Sequence, residues 1–279
     1  MIGEARFDQR MFEHYACPAK FEGTDLRITE FPNPILRAPN AEITEFDDKL
    51  EQLSKEFFCA MYQSQGVGIA APQLGLNIQL FVYNPDPTAP EMIRKMGERV
   101  VCNPKILEFC EATDVEIEGC LSSRAECCRG GIRRAKEIQV EYQDERGRVK
   151  KKKLRGFEAR VFQHEYDHIQ GVLHIDRQSP SDRKAIQPYI DVLIEQHGEG
   201  GVLEPREEAK AAMKPPVIFE AVAPPPPPPK PKPAATPAAK RKAAEPAGGG
   251  GGGGMGGFAA ASKGKSSKGG AGKKKKKKR

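Results

Sequence analysis

Histidine is scarce in this chain, with five residues in 279. Apolar runs are short, and no window of 18 or more apolar residues occurs, which excludes a membrane-spanning helix. The opening residues, MIGEARFDQR, have no apolar signal region and are too acidic for an ordinary transit peptide. Seven cysteines are an odd number, so the composition indicates a reducing compartment rather than a disulfide framework.

Two of the five histidines belong to one segment, His164-Glu165-Tyr166-Asp167-His168. On a helix, residues i and i+4 lie on one face, so both imidazoles can bind one metal ion. Glu165 would then stand beside a water on that metal and could act as general base. A chance match occurs in roughly one such sequence in a hundred. The alternative is a solvated helix with two uninvolved histidines.

The residues around this segment favour a helix with a buried face. The apolar residues at helical spacing are Phe157, Val161, Phe162, Ile169 and Leu173. Gly156 precedes the segment, and Gly171 lies near its end, where a glycine is expected. Burying two histidines and a glutamate against such a face would be costly without partners, and a metal ion supplies one.

A catalytic site of this kind needs a third protein ligand and one position left for water. The best candidate lies in Glu118-Gly119-Cys120-Leu121-Ser122, which follows an extended, alternating stretch from Thr113 to Ile117. Cys120 would offer a thiolate where a strand gives way to a loop. Taken alone, one cysteine among seven is weak evidence, and a buried, inert core cysteine is the alternative.

A third segment, from Gly66 to Gln73, reads GVGIAAPQ. It lacks Gly-Lys-Ser/Thr and follows a helix rather than a strand, which excludes a phosphate loop, and it lacks the dinucleotide spacing. Its small residues would let the backbone come close to a ligand, and Gln73 offers a neutral N–H donor. The alternative is an ordinary turn between a helix and a strand.

Together, the three segments resemble the peptide deformylases, whose pattern GxGxAAxQ, EGCLS and HExDH occurs here in the same order. The resemblance extends over residues 27–180 and is closest to plant organellar or bacterial members of the type 1 group. It implies a metal-dependent amide hydrolase that removes the N-formyl group from the initiator methionine of a nascent polypeptide and releases formate. This reaction is a co-translational step of protein biosynthesis.

The resemblance implies that one divalent metal is bound by Cys120, His164 and His168. Water with a lowered pKa takes the remaining position. The family's working ion is Fe²⁺, whereas a His₂Cys donor set by itself favours Zn²⁺, which remains possible in vitro.

The resemblance also implies the catalytic roles. Glu165 takes a proton from the attacking water and delivers it to the departing amine. The side-chain amide of Gln73 and the backbone N–H of Leu121 stabilise the oxyanion. Gly68 lies along the substrate backbone. The other substrate-binding residues are Gly66, Ile69 and Gly119. Ile69, Leu76 and apolar residues of the motif helix are candidates for a methionine pocket.

The segment Ser123 to Gly131 departs from the family pattern, which usually continues after EGCLS with an apolar residue and Pro-Gly. This segment borders the peptide groove in the family. The sequence therefore does not predict which substrate residues are preferred after the initiator methionine. Cys127 and Cys128 could suggest a second metal or a redox switch, but no further ligand pair accompanies them. A flexible surface loop is expected here.

The rest of the pattern predicts an α+β fold, with antiparallel sheets around the metal-binding helix. A helix is expected over 46–63, and its buried side carries Phe46, Leu50, Leu53, Phe57 and Met61. A last helix is expected near 188–196. Strand-like runs cover 78–83, 100–101, 105–109, 138–142 and 149–154, and a proline-rich insertion covers 84–98.

Composition divides the chain into an N-terminal extension at 1–20, a catalytic domain at 21–200 and a low-complexity tail at 201–279. Residues 201–279 carry 18 Lys and Arg against 5 Asp and Glu, a net charge of +13, whereas residues 1–200 carry −6. The tail contains six prolines (224–229), seven glycines (248–254) and six lysines (273–278) in unbroken runs. Such runs cannot bury a core, so the tail is predicted to be disordered.

The basic cluster at the end of the tail could bind phosphate backbones. A tether to ribosomal RNA is our hypothesis, and a functionless solvated extension is the alternative. The compartment is expected to be a plastid or mitochondrion, or the cytoplasm of a bacterium. Two other functions remain open: a different HExxH hydrolase such as a protease, and a catalytically inactive RNA-binding protein. The retained Cys120, Gln73 and Glu165 weigh against both.

Overall fold

The computed structural model describes residues 21–86 and 95–213. All of them belong to a unit that spans Met1–Ala223. The predicted N-terminal extension, part of the proline-rich insertion and the tail beyond residue 213 therefore lie outside the described residues. Within the described ranges, no helix is long and apolar enough to cross a bilayer. The six cysteines in these ranges are free thiols.

The α-helices that lie wholly within the described ranges are α1 (Asp48–Gln63), α2 (Gly156–Gln170), α3 (Pro180–Ala185), α4 (Gln187–His197) and α5 (Glu207–Ala212). Four 3₁₀ helices cover Pro34–Arg37, Ala71–Leu74, Leu121–Ser123 and His174–Asp176. The strands are β1 (Gly68–Ala70), β2 (Leu80–Tyr83), β3 (Arg99–Phe109), β4 (Thr113–Glu118), β5 (Gly130–Ala135), β6 (Glu137–Gln143) and β7 (Val149–Arg155).

The strands form two antiparallel sheets, one with the order β1-β2-β3-β6-β7 and one that pairs β4 with β5. The larger sheet is covered on both faces, which explains why β2 is a continuous apolar run. Phe81 and Tyr83 belong to the cluster that includes α2, whereas Leu80 and Val82 belong to the cluster that includes α1. The predicted α+β class with antiparallel sheets is confirmed.

Helix α1 begins two residues later than predicted. Asp47 adopts an extended conformation, and its carboxylate accepts hydrogen bonds from the backbone N–H groups of Lys49 and Leu50. A cap of this kind stabilises a helix by about 1 kcal/mol. The predicted apolar spacing is otherwise followed, with Leu50, Phe57 and Met61 buried against the sheet.

Strand β3 is continuous where the sequence predicts two short strands. Its pairing with β6 shifts register between Cys102 and Lys105, where Asn103 has a φ of 50°. Pro104 lacks an N–H for the ladder, and such residues are placed at irregularities. The Asn103 side chain stabilises this bulge, because it accepts from the backbone N–H of Ile43 and donates to its carbonyl, both at 2.8 Å.

Helix α2 carries the HExxH segment and packs its apolar face on the large sheet. Phe162 is fully buried and meets Phe81 edge-on, with ring centroids 5.0 Å apart. The helix ends at Gly171, which takes the left-handed conformation with φ 76°. Phe157, predicted for the core face, is instead half exposed in the first turn.

The prediction of a flexible surface loop at 123–131 is wrong. Cys127 and Cys128 are buried in a cluster with residues of α4 and the chain near Leu173. Arg124 donates to Glu30 at 2.9 Å and to Gln196 at 2.8 Å, which fixes the start of the segment. Its end already belongs to β5. The polar composition of this segment concealed these long-range contacts.

Residues 201–213, which the sequence analysis places in the low-complexity tail, are packed against the chain near residues 32–37. Val202 donates its backbone N–H to the Pro32 carbonyl at 2.8 Å. Arg206 donates to the Arg37 carbonyl at 2.7 Å, and Ala209 in α5 is buried. This part of the tail prediction is corrected, because the segment contains apolar and hydrogen-bonding residues that the later proline and glycine runs lack.

Candidate metal centre

Three ligand-type side chains converge at one end of the sheets. His164 and His168 lie on one face of α2, with ring centroids 5.2 Å apart. Cys120 follows the end of β4, and its Sγ lies 3.3 Å from Nε2 of His168. One donor atom from each of the three residues lies within 4.8 Å of the other two. The structure thus brings together the three residues that the sequence analysis proposed as metal ligands.

The chain reaches this point because β4 ends at Glu118 and turns immediately. A side chain at Gly119 would overlap the carbonyl of Ala125, so only glycine fits this close passage. Cys120 then precedes the 3₁₀ helix at Leu121–Ser123. Its thiol is therefore directed at α2 from a short, tightly constrained turn.

The donor set fits a divalent metal. A thiolate and two imidazoles leave one position open in a tetrahedral site, as catalytic centres require. Burial alone would raise the pKa of the Cys120 thiol, but the charge of His168 and hydrogen bonds from the neighbouring histidines lower it well below its ordinary value. The thiolate is the form that binds metal.

His164 presents one nitrogen to the site because the other is engaged. Its Nδ1 lies 2.9 Å from Oε2 of Glu118, which leaves Nε2 facing the site. Burial opposes protonation of His164, but hydrogen bonds with Cys120 and Glu118 raise its pKa well above the ordinary value. A carboxylate bonded to the distal nitrogen fixes the orientation and tautomer of a metal-binding histidine.

Glu165 lies beside the ligands with a carboxylate oxygen available for chemistry. Its side chain is 3% exposed, and Oε2 has no hydrogen-bond partner within the described residues. Burial raises the pKa of Glu165 to about 8. An unsatisfied carboxylate at this depth is costly, so the position indicates a ligand or water partner.

Gly68 makes room for that carboxylate. A Cβ built at Gly68 would overlap Oε1 of Glu165 and two further atoms of its side chain. The family resemblance implies that Gly68 lies along the substrate backbone. The structure adds a second reason for glycine here, because the adjacent side chain is the proposed general base.

The orientation of the Gln73 amide is set by its own backbone surroundings. Its Oε1 accepts the backbone N–H of Ala70 at 2.9 Å, so Nε2 is the end that faces the metal centre. That nitrogen lies 3.5 Å from Sγ of Cys120. Gln73 is 2% exposed in the 3₁₀ helix Ala71–Leu74. A neutral N–H donor is therefore fixed at the site.

A cleft of about 750 Å³ opens over these groups. It is lined by most of the predicted site residues, namely Gly66, Gly68, Gln73, Gly119, Cys120, Leu121, His164 and Glu165. His168 lies beneath and is buried. Further lining comes from Phe157 and Val161 of α2 and from Ala125, Glu126 and Arg129 of the segment after Cys120.

Ile69 and Leu76 were candidates for an apolar substrate pocket, but their side chains are elsewhere. Ile69 is fully buried in the cluster with α1, and Leu76 packs against the same cluster. Ile69 follows Gly68 in β1, and successive residues of a strand point to opposite faces. The apolar residues that border the cleft are instead Phe157 and Val161 of α2 together with Val67, Ile117, Leu121 and Ala125.

A buried ionic network, which was not predicted from the sequence, lies behind the proposed ligands. Arg134 of β5 donates to both carboxylate oxygens of Glu118 at 2.8 Å and to Asp167 at 2.7 Å. Arg177 holds Asp167 through two bonds of 2.6 Å. Burial opposes ionisation of Glu118, yet Arg134 and His164 keep its pKa well below the ordinary value. The local signals for this network were the positions of Glu118 within EGCLS and of Asp167 within HEYDH.

His174 is a further histidine near the site that was not predicted from the sequence. His174 is 2% exposed, and its ring centroid lies 6.2 Å from that of His164. Its Nε2 lies 2.8 Å from the Cys128 carbonyl, so this nitrogen carries the hydrogen. The amide of Gln178 donates to the same carbonyl at 2.9 Å. These two residues hold the segment that borders the cleft.

Fold and site together define a class: a metallohydrolase whose HExxH helix is completed by a cysteine at the end of a strand. The family model described as polypeptide deformylase matches residues 25–184, which is more than half of the chain. The chain therefore belongs to the polypeptide deformylase family, hydrolases that remove N-formyl groups from nascent peptides. The resemblance drawn from three short motifs is confirmed.

Individual relatives agree with this assignment. Peptide deformylase 1B, chloroplastic, from Oryza sativa subsp. japonica is 38% identical over 192 residues, which are 68% of this chain and 68% of that protein. Peptide deformylase from Thermotoga maritima is 41% identical over 157 residues, covering 56% and 89%. Crystals of peptide deformylase from Plasmodium falciparum give a structure with a TM-score of 0.57 and 35% identity, covering 61% and 96%.

Proposed function

We propose that this chain hydrolyses the N-formyl group of the initiator methionine on nascent polypeptides, with Cys120, His164 and His168 as metal ligands. The observation that supports these ligand roles is the convergence of one sulfur and two ring nitrogens within 4.8 Å at the base of a cleft. A divalent ion held there would supply a Lewis acid that acidifies a water molecule at neutral pH.

The remaining roles belong to residues that surround the ligands. Oε2 of Glu165, which lacks a partner within the described residues, accepts the proton of the attacking water. The same carboxyl then delivers that proton to the departing amine nitrogen. Nε2 of Gln73 and the backbone N–H of Leu121 donate to the oxygen that becomes negative as the formyl carbon is attacked. The Cys120 turn and β1 border the bound peptide.

The decisive test is formate release from formyl-Met-Ala-Ser under anaerobic conditions with Fe²⁺ supplied. Glu165→Ala should retain metal and lose nearly all turnover, because it removes only the proton carrier. Cys120→Ala should lose both metal and turnover. Cleavage of ordinary peptide bonds in place of formate release would favour the protease alternative and overturn the proposal.

The family is metal-dependent, and we propose Fe²⁺ as the working ion of this chain. The His₂Cys donor set binds Zn²⁺ as well, because soft thiolate and imidazole suit both ions. We expect the Fe²⁺ form to turn over faster and to lose activity in air. Equal turnover and equal air stability of the two forms would argue against iron.

We propose two further properties for the whole chain. The first is that the basic tail contacts ribosomal RNA, which is supported by its net charge of +13 over residues 201–279. Deletion of residues 214–279 should weaken ribosome co-sedimentation most at low salt, and unchanged binding would eliminate the tether.

The second property is a plastid or mitochondrial compartment, supported by chloroplastic and mitochondrial relatives. Fractionation of cells that express the full chain tests it.

A further inference from the structure

We propose that Arg134 is a positioning residue of the metal centre, because it locks the strand that presents Cys120 to the helix that presents both histidines. The proposal rests on the metal site described above. It concerns how that site is held together rather than the reaction it performs.

The main support is that the guanidinium of Arg134 bridges two carboxylates that lie on separate elements of secondary structure. Its Nε and Nη2 donate to Oε1 and Oε2 of Glu118 at the end of β4, each at 2.8 Å. Its Nη1 donates to Oδ2 of Asp167 in α2 at 2.7 Å. The Arg134 side chain is 2% exposed, so these bonds lie out of water, where charge-assisted bonds are strongest.

Both carboxylates sit next to ligands. Glu118 precedes Cys120 by two residues and also accepts the Nδ1 hydrogen of His164 at 2.9 Å. Asp167 immediately precedes His168 in α2. A shift of Arg134 would therefore displace the thiolate turn, release the outer nitrogen of His164 and loosen the backbone at His168. A single side chain thus bears on the geometry of all three ligand atoms.

Two neighbouring arginines provide matched controls, because each holds one of the carboxylates and not the other within the described residues. Arg160 donates to Oε1 of Glu118 at 2.6 Å, and it also pairs with Asp114 and Glu116. Arg177 makes two bonds of 2.6 Å to Asp167. Arg160 lies in α2 and therefore also joins α2 to β4, but through β4 carboxylates alone and without reaching Asp167. Removal of either control arginine costs a comparable buried ion pair and leaves the Arg134 bridge from Glu118 to Asp167 in place.

The test measures metal affinity separately from turnover. Metal-free wild type, Arg134→Met, Arg160→Met and Arg177→Met are titrated with Co²⁺ against a chelator of known affinity. Loss of an outer partner of a metal ligand typically costs about 10- to 100-fold in affinity, and we expect a loss in that range for Arg134→Met. The two control variants should lose clearly less, even where their thermal stability falls as far.

A spectroscopic readout separates positioning from general destabilisation. At saturating Co²⁺, the thiolate charge-transfer and ligand-field bands report the geometry around the ion. They should shift in Arg134→Met and keep the wild-type form in Arg177→Met. Arg134→Lys, whose ammonium reaches one carboxylate at a time, should give an intermediate affinity, and it replaces Arg134→Met if that variant does not fold.

Wild-type affinity and spectrum in either Arg134 variant would overturn the inference. So would equal losses in all three arginine variants, since the network would then support the fold without singling out the metal centre. Failure of the proposed function looks different: the wild-type protein would bind Co²⁺ normally and release no formate from formyl-Met-Ala-Ser.

Discussion

At the scale of single residues, the site depends as much on a missing side chain as on those present. Gly68 lies where any Cβ would overlap the Glu165 carboxylate, and its φ is not in the left-handed region. Glycine is needed here for space and not for backbone freedom. The local sequence predicted that a glycine here lets the backbone come close to a ligand. Only the structure shows that Glu165 is the neighbour.

We therefore expect Gly68→Ala to displace the Glu165 carboxylate and to reduce turnover while metal binding persists. A displacement of about 1 Å in a catalytic group can cost on the order of 100-fold in rate. The measurement is kcat for formate release together with the metal content of the purified variant. A loss of metal as large as the loss of kcat would contradict the explanation.

Gly66→Ala is the matched control for that variant. A Cβ at Gly66 would lie 3.3 Å from the Gly68 carbonyl oxygen and from a methyl group of Leu121, a tight contact that a small shift relieves. It lines the same cleft but does not meet Glu165. Because Gly66 is itself a proposed substrate-binding residue, the comparison is made on kcat and not on KM. The kcat of Gly66→Ala should remain much closer to that of the wild type, and an equal loss of kcat in both variants would indicate general damage to the loop.

At the scale of elements, the hairpin that joins β6 to β7 shows how local sequence fixes structure. Oδ1 of Asp144 accepts the backbone N–H groups of Arg146 and Arg148, both at 3.0 Å. Gly147 follows with φ 73°, which suits glycine at this point of the turn. The seven-residue register from Glu137↔Arg155 to Gln143↔Val149 is continuous beyond it. The hairpin delivers the chain directly to α2.

Asp144→Ala should lower the free energy of unfolding at pH 7 by about 1–3 kcal/mol, because two backbone donors and the Arg148 guanidinium lose a charged acceptor. Burial opposes ionisation of Asp144, but the N–H groups of Arg148 and Arg146 hold its pKa below the ordinary value. The folded state thus binds this proton less readily than the unfolded chain. Urea unfolding at pH 7 measures the loss.

The sign of the pH dependence follows from the same shift. Stabilisation by ionised Asp144 is fully present above the carboxyl's ordinary pKa and is lost as pH falls through the lower folded value. Asp144→Asn keeps an oxygen acceptor but has no charge to lose. The difference in stability between wild type and Asp144→Asn should therefore shrink toward acid pH. A difference that stays constant would contradict a role for the charge.

Elements with a clear periodicity were predictable, and those defined by distant partners were not. The helical spacing of apolar residues in α1 and α2 and the apolar–polar alternation of β6 are visible in the local sequence. Strand β1 is three residues long and exists because Gly68 pairs with Tyr83 and Ala70 with Phe81. Strand β5 begins with two glycines, which are typical of a loop and gave no indication of a strand. Neither carries a pattern that a local argument can detect.

The residues of the site can likewise be separated into those that were predictable from the sequence and those that were not. The proposed ligands and catalytic residues lie in short motifs whose spacing is typical of a metal-dependent hydrolase. Arg134 is 33 residues from Asp167 and 16 from Glu118, and no periodicity relates these positions. A buried arginine between two carboxylates can be recognised only when the elements are assembled.

At the scale of the whole molecule, the end of the described chain closes over its beginning. Arg37 is 2% exposed and donates to Asp176 after α2, to the Gly171 carbonyl and to the Leu203 carbonyl. It thereby joins the first 3₁₀ helix, the end of the metal-binding helix and residues 201–213. Composition alone placed residue 201 in the tail, but residues 201–213 carry 2 Lys and Arg against 3 Asp and Glu, so the basic excess begins only beyond the packed segment.

Truncation distinguishes the compositional boundary at residue 200 from the end of the packed chain at residue 213. Ending the chain after residue 213 should leave the melting temperature unchanged, because the proline, glycine and lysine runs cannot bury apolar area. Ending it after residue 200 removes the bonds to Pro32 and Arg37 and the burial of Ala209. We expect a loss of about 2–3 kcal/mol, or roughly 4–12 °C for a domain of this size. Arg206→Met in the full chain, which removes one bond to Arg37, should fall between the two. Equal melting temperatures for both truncations would mean that residues 201–213 contribute nothing to the stability of the domain.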